Sequence, residues 1–180
     1  MYGIVNKSIE DLVVANFGRE KWEIIHEKSG IDIDFFLSNE IYDDEVTYKI
    51  AGAVAQEMQM TLSAVLIAFG EWWVVKTTKE KYPGLMESGG TNLRDFLINL
   101  PNFHNRVMLV YPKLTPPEFK VTDITPNALH LHYFSKREGL QDFVRGILQG
   151  LAIVYQTPVV LDLIQSRNAG SSHEIFKVNW

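Results

Sequence analysis

One histidine in this chain sits where its neighbours make its chemistry conspicuous. Leu93, Phe96, Leu97, Leu100, Phe103, His104, Val107, Met108 and Tyr111 recur at helical spacing. Every member of that stripe except His104 is bulky and apolar. A histidine on such a face reads in two ways. It is a core residue bonded to a backbone carbonyl, or it offers a neutral imidazole to a metal from an apolar wall. A single protein ligand does not hold a bare zinc ion, which takes three or four. It does suffice for a haem iron, because the porphyrin supplies the equatorial nitrogens.

A second set of residues bears on that choice. Leu129, Leu131, Tyr133, Ser135 and Arg137 share one parity, so on a regular strand they point to the same side. The first two are apolar and the last three are hydrogen-bond donors. Such a face runs from a core into a hydroxyl, hydroxyl and guanidinium cluster, which suits carboxylates at the edge of a buried apolar ligand. The alternative is a strand end running out into solvent. Taken together, the two features describe one axial imidazole, one anion clamp and a bulky apolar remainder.

Other chemistry finds little footing. The sequence holds no P-loop, no G-x-G-x-x-G, no H-E-x-x-H and no G-x-S-x-G. It has no cysteine, which removes disulfides, thiolate zinc sites, iron–sulfur clusters and cysteine nucleophiles. The net charge of −5 disfavours a grip on nucleic acid or on an anionic membrane. His26 lies beside Trp22 and Ile25 and reads as a surface residue or as core packing. His130 and His132 fall on the opposite face of the Tyr133 strand, where a weakly held metal or plain solvent exposure are the readings.

The elements that must position these groups follow from the periodicity. The chain has 180 residues, 46% of them apolar and 22% charged, which is one domain's worth with a real core. Through about residue 110 the spacing is helical. Val5, Ile9, Leu12 and Val13 form a stripe closed by Gly18, and a second helix runs through Trp22 and Ile25 to Gly30. A third follows the acidic run Asp43-Asp44-Glu45, which suits a helix N-terminus. A fourth carries Leu62, Val65, Leu66, Phe69, Trp72 and Trp73, with Thr61 as its N-cap. Pro101 kinks the His104 helix or begins a second one. After Pro116-Pro117 the period shortens to two, predicting strands at 119–124, 128–134, 159–164 and 174–178. One helix interrupts them, with Leu140, Phe143, Val144, Ile147, Leu148 and Leu151 on its apolar face. Thr125-Pro-Asn and Asn168-Ala-Gly-Ser mark the turns. The expected class is therefore α+β: a helical N-terminal part, then a small antiparallel sheet of about four strands with packing helices. The longest apolar stretch, 62–75, is interrupted by Ser63, Gly70 and Glu71, too short for a membrane span. The N-terminus lacks a basic segment followed by an apolar run, so the reading is cytoplasmic.

At this point the sequence resembles a known family. Tyr133-Phe-Ser135-Lys-Arg137 matches the Tyr-x-Ser-x-Arg motif of H-NOX domains, the haem nitric oxide/oxygen binding family that includes the haem domain of soluble guanylate cyclase. His104 lies where that family has its proximal ligand. Thr115-Pro116-Pro117 matches the paired prolines whose second member presses on the porphyrin, and Met1-Tyr2-Gly3 and Ala68-Phe69-Gly70 are also similar. The resemblance spans the whole chain and implies one H-NOX-like domain over residues 1–180, with haem b buried between helices and sheet.

The resemblance also assigns roles. It implies that His104 binds the iron, that Tyr133, Ser135 and Arg137 hold the propionates, and that Pro117 distorts the ring. Asp43 would support Arg137, or be no more than a helix-end charge. Ile4, Trp73, Phe143 and Ile147 would line the distal face. In oxygen-binding members a tyrosine lies three residues before a glycine of this helix; counting back from Gly146 gives Phe143, which has no donor. The implied protein is a sensor of nitric oxide and CO that excludes stable oxygen binding, although Trp73 and Tyr2 are possible donors. Signalling would run through loss of the iron–His104 bond, relaxation of the haem and a partner such as a histidine kinase or a cyclic-nucleotide enzyme. A haem enzyme of oxygen or peroxide chemistry, and a carrier of another apolar carboxylate ligand, are the alternatives.

Overall fold

The computed structural model describes the backbone of residues 1–180 and every side chain except that of Val110. Local chemistry explains where its helices begin. Helix α1 (Gly3–Phe17) ends at Gly18, whose φ of 87° favours a residue without Cβ, and α2 (Arg19–Ser29) ends at left-handed Gly30. Helix α3 (Asp44–Glu57) is capped by Asp43, whose carboxylate accepts the Glu45 N–H. Helix α4 (Leu62–Trp72) starts on Thr61, which accepts the Ala64 N–H at 3.1 Å. A π-helical stretch, Trp73–Thr78, continues α4 into the short α5 (Lys79–Lys81), and Pro83 opens α6 (Pro83–Gly89). Helix α7 (Leu93–Val110) is capped by Asn92 and runs through Pro101 as one element, so the proline starts no second helix. Neither the π-helical stretch nor the two short helices is signalled by the apolar spacing.

The second half is a four-stranded sheet in the order β1-β2-β4-β3, antiparallel throughout. Its strands are β1 (Glu118–Thr122), β2 (Ala128–Phe134), β3 (Val160–Gln165) and β4 (Glu174–Asn179), with α8 (Gln141–Val154) between β2 and β3. This is the expected α+β plan, with strand ends shifted by at most two residues. Leu129, Leu131 and Tyr133 are buried on the inner face of β2. On the outer face His130 contacts Asp123 at 2.9 Å, and a hydrogen bond of 2.9 Å joins His132 to His173. No group of three or more potential ligands suited to a metal ion occurs among the described residues. No single helix among them is long and apolar enough to cross a membrane.

Two cores result. One gathers apolar residues of α1 to α4, and the other joins α7, α8 and the inner sheet face. They meet where α4 crosses α8. A Cβ on Gly146 would stand 2.1 Å from the Ile67 carbonyl oxygen, and one on Gly70 would stand 2.2 Å from that of Phe143. Only glycine lets these two backbones come so close. The crossing fixes where Phe143 and Ile147 face the cavity described next.

Candidate functional site

Between the two halves lies a cavity of about 260 Å³ with almost wholly apolar walls. All nine residues singled out from the sequence line it: Ile4, Trp73, His104, Pro117, Tyr133, Ser135, Arg137, Phe143 and Ile147. They come from α1, the π-helical stretch, α7, the loop before β1, β2, the loop after it, and α8. Distant parts of the chain therefore converge on one space.

His104 reaches it from α7. Its ring stacks on Phe119 with centroids 5.4 Å apart and planes 13° apart. Nδ1 is sealed from solvent and has no hydrogen-bond partner. Burial lowers the imidazole pKa from 6.5 to about 4, so the ring is neutral at pH 7. A structural histidine in the same protein looks different: His26 Nε2 donates to the Ile33 carbonyl at 2.7 Å. The reading of His104 as a core residue bonded to a carbonyl requires such a bond, and Nδ1 does not make it.

The donor cluster forms where β2 ends. The strand stops at Phe134, so Ser135 and Arg137 do not ride on a regular strand. They face the cavity because the chain turns back, with the Arg137 N–H donating to Ser135 Oγ at 3.0 Å. Arg137 Nε donates to Asp44 Oδ2 at 2.7 Å and Nη1 to the Thr115 carbonyl at 3.0 Å. The supporting carboxylate is thus Asp44 and not Asp43. Asp43 is engaged as the N-cap of α3, and one step of helical phase turns Asp44 toward Arg137 instead. Partial burial pushes the Asp44 carboxyl up, but hydrogen bonds from the Met1 amino group and Arg137 outweigh it and hold its pKa below the ordinary value. Burial raises the Tyr133 phenol, which stays a protonated donor. The Thr115 carbonyl has no signal in the sequence. For Asp44 the acidic run was visible, but which of its acids meets Arg137 is settled by the tertiary contact.

The opposite wall is aromatic and aliphatic. Phe143 and Phe69 lie with ring centroids 4.8 Å apart, and Trp73 meets Phe69 edge-on at 6.2 Å. The Tyr2 hydroxyl is engaged with the segment beyond α7, accepting the Lys113 N–H at 3.2 Å.

An iron porphyrin needs an axial nitrogen, an apolar slot and donors for two carboxylates. A neutral imidazole with a sealed, unpaired Nδ1, an apolar cavity, and a phenol–hydroxyl–guanidinium cluster all border this one space. The residues present fit that group.

Comparison with known proteins agrees with this geometry. The family described as Haem-NO-binding matches residues 2–163. Soluble guanylate cyclase gcy-32 of Caenorhabditis elegans is 29% identical over 177 residues, covering 96% of this chain and 26% of that protein. The beta-2 subunit of soluble guanylate cyclase of Rattus norvegicus is 29% identical over 123 residues, covering 65% of this chain and 18% of that protein. The chain spans about a quarter or less of the length of these relatives. Among solved structures, an H-NOX protein from Shewanella oneidensis in the Fe(II)NO state shares the fold at a TM-score of 0.91 and 22% identity, covering 99% of this chain and 98% of that one. An unliganded Fe(II) H-NOX protein from K. algicida shares it at a TM-score of 0.83 and 21% identity, covering 99% and 96%.

Proposed function

The chain belongs to the haem-NO-binding family, a family of haem-based gas sensors, and on that premise we propose that residues 1–180 act as one sensor domain for nitric oxide and CO built around haem b. The observation that carries this reading is the pairing in one cavity of an imidazole whose sealed Nδ1 lacks a partner with the Tyr133, Ser135 and Arg137 donor cluster. Bound haem supplies a ferrous iron that takes diatomic ligands.

The chain's own residues do the rest. His104 would hold the iron, and its low pKa keeps the ring neutral, with one nitrogen free to act as a ligand. Tyr133, Ser135 and Arg137 bind the two carboxylates, and Pro117 presses from the loop before β1. Ile4, Phe143 and Ile147 would offer a diatomic ligand on the other face no hydroxyl, which disfavours stable oxygen binding there. With no hydrogen bond at Nδ1 to hold its ring, His104 would be free to move with the α7 segment around Phe103 against the α1–α4 half once it no longer served as a ligand. A partner that prefers one of these two arrangements reads the difference. The relatives are cyclases, which supports a cyclic-nucleotide enzyme as the output; a histidine kinase is the other candidate. The reading places the sensor in the cytoplasm.

A haem enzyme of peroxide chemistry needs an acid–base pair such as histidine with arginine beside the iron. Among the described residues lining the cavity, the histidine is His104 and the arginine is Arg137 in the clamp. That favours a sensor over a catalyst.

The test is the absorption spectrum of the anaerobically reduced protein, alone, with nitric oxide and in air. A five-coordinate high-spin band that becomes a five-coordinate nitrosyl band and is unchanged by brief exposure to air supports the reading. A stable oxy spectrum overturns the oxygen exclusion and makes Trp73 and Tyr2 the first suspects. A colourless protein that cannot be reconstituted with haem overturns the whole assignment.

A further inference from the structure

The donor segment Ser135–Arg137 lies beyond the last residue of β2, so the sheet ladder does not hold its backbone. Its support arrives from the turn that leads into the neighbouring strand β4. Arg167 opens a 3-10 turn, Arg167–Ala169, between β3 and β4. One face of its guanidinium is spent on that segment: Nη1 donates to the Ser135 carbonyl at 2.8 Å and Nη2 to the Arg137 carbonyl at 3.0 Å. Nε donates to both carboxylate oxygens of Glu174, at 2.8 and 2.9 Å.

Glu174 makes this more than a loop brace. Its side chain is 1% exposed, and it sits directly across the ladder from Tyr133. A buried carboxylate therefore stands beside the residues that are to receive two more carboxylates. Unpaired, it would repel them strongly, since charges out of water are little screened. Paired with Arg167 it is neutralised, and the same guanidinium holds the Ser135 and Arg137 carbonyls to one side. That leaves the Ser135 hydroxyl and the Arg137 guanidinium directed into the cavity. A lysine could carry the charge but not this planar set of four contacts.

We propose that Arg167 and Glu174 form a positioning pair for the anion clamp, which sets how tightly the site holds its ligand through the ligand's carboxylates. The inference rests on the haem reading above, and it concerns residues that the Tyr-x-Ser-x-Arg motif does not contain.

The test is the rate at which the loaded protein gives up its ligand to an excess of apomyoglobin, for haem and for its dimethyl ester, whose carboxylates are blocked. The wild type is measured first: if it takes up no haem, the functional reading fails and this inference with it. Given a loaded wild type, Arg167→Gln is expected to release haem ~10-fold or more faster, in the range typical of groups that orient a site's direct contacts. The dimethyl ester should leave at the wild-type rate. The double variant Arg167→Gln/Glu174→Gln removes the unpaired charge and should recover part of the loss. Arg167→Lys should fall between wild type and Arg167→Gln, and it carries the test if Arg167→Gln does not fold. Unchanged haem release in these variants, or equal acceleration of haem and ester, would overturn the proposal, because a general loss of packing does not distinguish a free carboxylate from a blocked one.

Discussion

The two polar ends of the cavity are built on opposite plans. At the clamp, Arg137 is held by Asp44 and by the Thr115 carbonyl, and the backbone beneath it is held by Arg167, itself paired with buried Glu174. At the other end, His104 rests against Phe119 with its Nδ1 bonded to nothing. The difference teaches what each end is for. A site for fixed charges must be rigid and neutral in sum, since any unpaired buried charge is expensive. A ligand that is to be released gains from having few other attachments, because each would hold it in place.

The largest effect should come from removing the lone group. His104→Ala is expected to weaken haem retention by more than ~100-fold, beyond the range found for orienting groups, and added imidazole should restore the five-coordinate spectrum. Retention at the wild-type level would show that the clamp alone holds the ligand.

Acid sharpens the same contrast in the haem-free protein. His104 has a folded-state pKa of about 4 against 6.5 for the free side chain. The unfolded chain therefore binds the extra proton first, and stability is lost as pH falls from about 7 through 4. For this one group the loss amounts to ~3 kcal/mol. Urea unfolding at pH 7.5 and 4.5 should show that loss, and His104→Leu should remove much of it. An equal loss in both proteins would place the acid sensitivity elsewhere.

Phe143→Tyr adds to the apolar wall the kind of donor that the clamp already has. One buried hydrogen bond to bound oxygen should lengthen the life of the oxy form by ~10-fold or more, as read by oxygen release after laser photolysis. No change would mean that position 143 does not face the bound gas.

The smallest effects separate the two neighbouring acids. Asp44→Asn should accelerate haem release several-fold by loosening Arg137, with a cost of about 1–2 kcal/mol in stability. Asp43→Asn should do almost nothing, because asparagine caps a helix about as well as aspartate. Reversed results would return the supporting role to Asp43.

How much could be read beforehand depended on the range of the interaction. The His104 stripe and the Leu129, Leu131 and Tyr133 parity are periodic signals, and the structure places each where the period requires. The acidic run before α3 was visible, but which acid meets Arg137 is a question of helical phase. The role of Arg167 had no signal at all, since its partners Ser135 and Arg137 are more than two dozen residues away.

By itself, then, the sequence determined the longer helices, the strands, the face on which His104 and Tyr133 lie, and the motif that marks the family. These follow from spacing, capping and side-chain type, all of which act over a few residues. The tertiary structure alone decided that His104 Nδ1 would lack a partner, that Asp44 and not Asp43 would brace Arg137, and that Arg167 and Glu174 would underpin the clamp. Those outcomes depend on contacts between segments far apart in the chain, made possible where α4 and α8 cross at Gly70 and Gly146 and where β2 pairs with β4. Local periodicity carries no information about them.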